Sequence, residues 1–216
     1  MTDNPVETFK YGILYHSIMV NYTLKQKILK FLIENKESPH SIASISQNLK
    51  ADYKNTSQAL GKLDPRTYSK VKHGNSYLIE FKQDNNVETL LIEKRREDEF
   101  LLKNPRLKVV KKYVEELNYP FIIFLVFGSY VKGVRTKNSD IDICMILDDK
   151  SKSIKLHEKL NLLSLNLEIQ EFTTEEFVLM IKNKQNNIGN EIIKNNIILY
   201  GKENYYNLIS KWTKKE

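Results

Sequence analysis

Seven consecutive apolar residues, Phe121 to Phe127, stop at Gly128-Ser129, and a second apolar segment opens with Asp140-Ile141-Asp142-Ile143. A short apolar run rich in β-formers and closed by a turn residue is a buried strand. Alternation along the second strand sends Asp140 and Asp142 to one face and Ile141 and Ile143 to the other, toward a core. The chain must therefore build a sheet that carries two carboxylates side by side at one strand end.

That pairing has a chemical consequence. Adjacent carboxylates repel unless a cation sits between them. Mg²⁺ takes one or two carboxylates and completes its shell with phosphate oxygens and water. Upstream, Gly128-Ser129 ends one strand and opens a short helix, where free backbone N–H groups and the helix dipole suit phosphate. Gly128 permits close backbone approach and Ser129 adds a hydroxyl. A phosphate cradle beside a metal pair is what transfer of a nucleoside monophosphate needs, one metal activating the attacking oxygen and another stabilising the leaving pyrophosphate.

The pattern after Asp142 continues to alternate. Asp140–Leu147 reads as a strand, Lys150–Leu162 as a helix and Leu165–Phe172 as a third strand. Thr173-Thr174-Glu175-Glu176 is a capping box opening a helix over Glu175–Lys184. Another helix is expected near Ile188–Asn195, then a short strand, Ile197–Tyr200, ended by Gly201. Such alternation indicates a small α/β domain over residues 120–216 with a mixed sheet.

The first part of the chain has a different character. Leu24–Lys36 is amphipathic, with Ile28, Leu29, Leu32 and Ile33 on one stripe. Ser38-Pro39 marks a second helix start. Asp52 caps a third helix, which Asp64-Pro65 ends. Ser69–Lys72 and Ser76–Phe81 form a hairpin through His73-Gly74-Asn75. The order helix, helix, helix, hairpin resembles a winged helix-turn-helix domain, assigned to residues 1–84. Residues 85–119, with Glu93-Lys94-Arg95-Arg96-Glu97-Asp98-Glu99 at their centre, are expected to be a solvated helical connector. The fold class is α+β: a winged helix domain followed by the α/β domain. Phe9–Tyr22 is either a dimerisation arm or a strand packed on the hairpin.

The glycine-serine pair, the second glycine at Gly133 and the Ser139-Asp140-Ile141-Asp142 segment resemble the polymerase-β-like nucleotidyltransferase superfamily, and within it the minimal members whose relatives serve as antitoxins. The resemblance covers about Pro120–Gly201. It implies that Asp140 and Asp142 bind Mg²⁺ and are catalytic, with a third carboxylate from a later strand. Glu168 is the best match and Glu171 the alternative; alternation puts them on opposite faces, so only one can serve. It also implies that Gly128, Ser129 and Ser139 bind ATP or another nucleoside triphosphate, and that the AMP acceptor is a tyrosine on a HEPN-type toxin. Lys132, Arg135 and Lys137 lie near the expected triphosphate or are surface charge. Tyr130 and Cys144 are expected in packing roles. His16, His40, His73 and His157 lack metal-ligand spacing.

Charge adds a partner class. The formal net charge is +7, and residues 1–84 hold 12 Lys and Arg against 8 Asp and Glu. An excess of this sign favours anionic partners. Asn55, Thr56, Ser57, Gln58 and Lys62 on the third helix, with His73 at the wing tip, are candidates for double-stranded DNA. Protein contact, including a homodimer, is the other reading of this domain. One cysteine, Cys144, excludes an internal disulfide and points to a reducing compartment. No apolar run is long enough to span a bilayer, so a cytoplasmic protein is expected. Two other functions are open: a DNA-binding regulator with a catalytically silent transferase fold, and a transferase that modifies small molecules.

Overall fold

The computed structural model describes residues 21–74, 76–134, 139–183 and 187–212. The Phe9–Tyr22 arm up to residue 20, with Asn75, Arg135 and Lys137, lies outside them.

The first unit opens with α1 (Leu24–Glu34). Thr23 starts it with a capping box to Gln26, and Ile28, Leu29, Leu32 and Ile33 are buried. Each such side chain contributes about 1.5–3 kcal/mol by leaving water. Then come β1 (His40–Ser41), α2 (Ile42–Asn48), α3 (Tyr53–Leu60), β2 (Tyr68–His73) and β3 (Ser76–Phe81). β1 was not expected. His40 and Ser41 pair with Ile79 and Leu78, giving a three-stranded antiparallel sheet in the order β1-β3-β2. Hence α2 starts after Ser41, whose hydroxyl accepts from the Ser44 N–H, and not at Ser38-Pro39. Asp52 caps α3 through the Asn55 N–H at 2.9 Å.

Two helices follow, α4 (Val87–Lys103) and α5 (Leu107–Glu116). Here the expectation of a solvated connector is corrected. Glu93, Arg96 and Glu97 are 1%, 5% and 0% exposed. The local pattern of alternating charges hides this, because several of their partners come from distant segments. Arg96 donates to Glu93 at 2.6 Å and to the Asn196 carbonyl at 3.0 Å, while Tyr206 donates to Glu93 at 2.6 Å. Lys111 and Lys202 reach Glu97 as ion pairs at 2.5 and 2.7 Å. Buried charges persist only when paired in this way.

The second sheet contains β4 (Ile123–Phe127), β5 (Ile141–Ile146), β6 (Leu167–Phe172) and β7 (Asn196–Tyr200). Its order is β6-β5-β4-β7. β4 runs antiparallel to β5 and β7, and β5 runs parallel to β6, so the sheet is mixed. α6 (Ser129–Lys132) is one turn after β4; α7 (Lys150–Asn161) connects β5 to β6. α8 (Thr174–Lys182), α9 (Ile188–Lys194) and α10 (Lys202–Trp212) complete the described elements. The Thr173–Glu176 capping box is present and opens α8.

Both faces are covered. Phe124, Val126, Ile143 and Met145 pack against Leu107, Val110 and Val114 of α5 and Leu156 and Leu160 of α7. Leu125, Phe127, Cys144 and Ile146 pack against Phe177, Ile192, Tyr205, Tyr206 and Ile209. Cys144 is therefore core, and burial pushes its thiol well up from the ordinary value. α10 was not anticipated. Gly201 allows it: φ is +76°, and a Cβ there would stand 2.1 Å from the Ile122 carbonyl oxygen.

Candidate active site

The carboxylates are positioned by strand register. Asp142 lies one residue into β5 and is the Cα partner of Glu168 in the parallel β5–β6 ladder. Register partners in a sheet project to the same face. That face is the one shared by Cys144 and Ile146, under α8 and α9. Glu171 faces away: it accepts from Ser153 at 2.7 Å and pairs with His157 at 3.0 Å, both on α7. Of the two glutamates, Glu168 shares the pocket with Asp142.

Gly128 closes the strand end. Its φ of +69° and ψ of −146° belong to a region that only glycine occupies readily. A Cβ at this position would meet Asp142 Oδ2 at 2.0 Å. The Ser129 backbone N–H donates to the Asp142 carboxylate. The amide that local reasoning aims at a phosphate is thus directed to the carboxylate beside it. α6 is only four residues long, so it supplies little dipole.

The pocket is a cavity of about 360 Å³ lined by Gly128, Ser129, Lys132, Asp142, Glu168 and Glu191, among others. Burial raises the Asp142 carboxyl above its ordinary value. The charge of Glu168 pushes in the same direction, the Ser129 N–H opposes it, and Glu191 and Asp140 add further repulsion. Lys132 donates to Glu191 at 2.7 Å, and this bond raises its amine. Glu37, from the loop after α1, accepts from Asn195 at 3.1 Å and adds to the field at Lys132.

Asp140 departs from the expectation. It precedes β5, is exposed and does not line the pocket. The ladder starts at Ile141, so Asp140 lies just before the strand, where its charge still raises the Asp142 carboxyl. Ser139 is half-buried just before it. Among the described residues, no three His, Cys, Asp or Glu side chains are gathered for a metal ion. The Asp142–Glu168 pair still has the donor chemistry of a hard-cation site, since Mg²⁺ needs only one or two carboxylates when phosphates and water complete its shell. The repulsion that raises Asp142 is what such a cation would relieve.

Sequence reasoning did not find Glu191 or Glu37. Neither sits in a motif, and only the packing of α9 and the post-α1 loop brings them near Lys132. Among the nucleic-acid candidates, Asn55, Gln58, Lys62 and His73 are exposed, and Ser57 is half-buried. Thr56 is corrected: it is fully buried, and its hydroxyl donates to the Asp52 carbonyl at 2.8 Å. At that position the side chain points into the unit.

Residues 108–205 match the family model described as Polymerase beta, Nucleotidyltransferase. The match supports the polymerase-β-like superfamily and a nucleotidyltransferase for this span, and the four-stranded mixed sheet fits such a domain. No curated protein matches the chain. A solved structure described as a toxin–antitoxin with AMP-PNP is similar at 18% identity. The likeness covers 47% of this chain and 81% of that one with a TM-score of 0.30, too slight to transfer anything to the site. Within the matched span, Gly128, Ser129, Asp142 and Glu168 come together around one cavity. No helix among the described residues is long and apolar enough to cross a membrane.

Proposed function

We propose that the chain is a Mg²⁺-dependent nucleotidyltransferase that moves a nucleoside monophosphate, AMP from ATP, onto an acceptor hydroxyl. The observation that carries this reading is the Asp142–Glu168 pair held in register beneath the tight Gly128-Ser129 turn. A bound divalent cation would neutralise these carboxylates and polarise phosphate oxygens. Asp142 and Glu168 would hold it, with Asp140 joining once the substrate is seated. Gly128 leaves room for the triphosphate, the Ser129 hydroxyl donates to it, and Lys132 swings from Glu191 to its negative charge. The acceptor oxygen then attacks the α-phosphorus, the bond to the bridging oxygen breaks, and pyrophosphate leaves.

By resemblance to the minimal nucleotidyltransferases, the acceptor in this reading is a tyrosine hydroxyl on a HEPN-type toxin. The first unit, read as a winged helix, binds double-stranded DNA through Asn55, Gln58 and Lys62 with His73 at the hairpin tip. Their exposure supports this assignment.

The test is transfer of label from α-³²P-labelled ATP, GTP, CTP and UTP to cell lysate with Mg²⁺, wild type against Asp142→Asn. Label moved by wild type alone supports the enzyme and leads to its acceptor. Nucleotide binding without transfer by any of the four supports the second reading, a silent regulator. The position of Asp140 outside the pocket is the observation that favours that alternative.

A further inference from the structure

The two carboxylates of the transferase pocket are held in different ways. Asp142 lies on β5, an inner strand, and accepts from the Ser129 backbone N–H. Glu168 lies on β6, an edge of the sheet, and is exposed. Glutamate also has one more side-chain torsion than aspartate. A long acid on an exposed edge samples several rotamers, and fixing it costs side-chain entropy. A cation shared with Asp142 needs Glu168 in one of them.

Gln170 supplies the restraint. It stands two residues along β6 from Glu168, so the two side chains leave the same face. Both line the cavity that holds Asp142. The Gln170 side-chain N–H donates to Glu168 Oε1 at 3.1 Å. A carboxylate only accepts, so the amide must turn its NH₂ toward Glu168 and its carbonyl away. Glu168 Oε2 makes no hydrogen bond or ion pair among the described residues. One oxygen is therefore anchored and the other is left for a ligand. Gln170 is the Cα partner of the fully buried Cys144 and is itself half-buried, so it is the more constrained of the two.

We propose that Gln170 is a positioning residue of this site, fixing the Glu168 carboxylate so that its open oxygen and Asp142 take one divalent cation together. This rests on the Asp142–Glu168 pair being the cation site of the function proposed above. In this role Gln170 touches neither the cation nor the nucleotide and acts only through Glu168. Hydrogen-bonding partners of metal ligands typically set metal affinity by about 10–100-fold.

The test counts free Mn²⁺, standing in for Mg²⁺, by electron paramagnetic resonance in titrations of the full chain, so it needs no transfer reaction. Wild type should bind the ion, and Asp142→Asn should lose it. Gln170→Met keeps the length of the side chain without the donor. It should weaken Mn²⁺ binding about tenfold or more, with the metal-free melting temperature nearly as in wild type. In a Glu168→Ala background, Gln170→Met should weaken binding no further, because its effect runs through the missing carboxylate. The Mg²⁺ concentration for half-maximal transfer should rise by the same factor as the Mn²⁺ dissociation constant. Mn²⁺ affinity unchanged or tighter in Gln170→Met, while Asp142→Asn still loses the ion, overturns the inference and leaves the cation site standing. An equal loss from Gln170→Met with and without Glu168 overturns it as well. Failure of wild type to bind Mn²⁺ overturns both the cation site and the role of Gln170.

Discussion

Asp142 and Glu168 are direct partners across the parallel β5–β6 ladder, and the charge of Glu168 helps raise the Asp142 carboxyl, second only to burial. A carboxyl whose folded value lies above its unfolded one contributes stability below the unfolded value and loses it as pH rises through the folded one. At neutral pH the ionised pair therefore weakens the fold. Mg²⁺ should raise the melting temperature at pH 7, by the equivalent of about 1–3 kcal/mol near saturation. Asp142→Asn should raise metal-free stability and remove the response. Thermal melts with Mg²⁺ and with EDTA check this; an equal Mg²⁺ shift in the variant counts against the site.

Gly128→Ala meets two obstacles at once. The backbone conformation alone costs about 1–3 kcal/mol for a non-glycine residue. The added carbon also stands 2.0 Å from Asp142 Oδ2, which must move. Nucleotide binding should fall at least tenfold by calorimetry, and the melting temperature should drop. Gly133→Ala serves as the comparison: its φ is also positive, but nothing lies within 4 Å of the added carbon.

Lys132 and Glu191 are about half exposed, so their 2.7 Å pair is worth little to stability, about 0–1 kcal/mol. Its effect should appear in kinetics. Glu191→Gln frees the amine and should lower KM for the nucleotide, while Lys132→Gln should raise it. Steady-state transfer at varied nucleotide concentration separates the two; no KM change in either variant removes Lys132 from phosphate binding.

Glu97 of α4 is fully buried and pairs with Lys111 and Lys202. Burial works against its charge, yet hydrogen bonds from the two lysines outweigh that and hold the carboxyl below its ordinary value. A depressed folded value contributes stability above the unfolded value, and it is lost as pH falls through the folded one. Glu97→Gln should cost about 3–5 kcal/mol, as for other broken buried pairs, and should flatten the acid limb of the stability curve. Urea titrations at pH 7 and pH 4 test both statements.

In the first unit, Lys62→Gln should weaken DNA binding uniformly across sequences and reduce the slope of log K against log salt by about 1. Leu32→Ala should cost about 2–5 kcal/mol by opening the core of the same unit. Fluorescence anisotropy with duplex DNA at several salt concentrations measures the first, and a slope unchanged by Lys62→Gln removes this residue from the interface.

Much of this protein was legible along the chain because the signals were local. The apolar run into Gly128-Ser129, the alternation through Ile141–Ile146, the Thr173–Glu176 box and the Asp52 cap each depend on residues a few positions apart. The Asp-x-Asp segment and its glycine-serine pair carried the resemblance to the nucleotidyltransferases. What distant segments determine could not be read this way. Local charge in α4 suggested water, but Lys111, Lys202, Asn196 and Tyr206 arrive from elsewhere and make it a buried network. Alternation made Asp140 and Asp142 equivalent, yet the ladder starts at Ile141 and leaves Asp140 outside the pocket. The choice of Glu168 over Glu171 rests on strand register, and the placing of Glu191 and Glu37 on packing between elements. Pairing and desolvation are set by neighbours in space, and no local pattern encodes them.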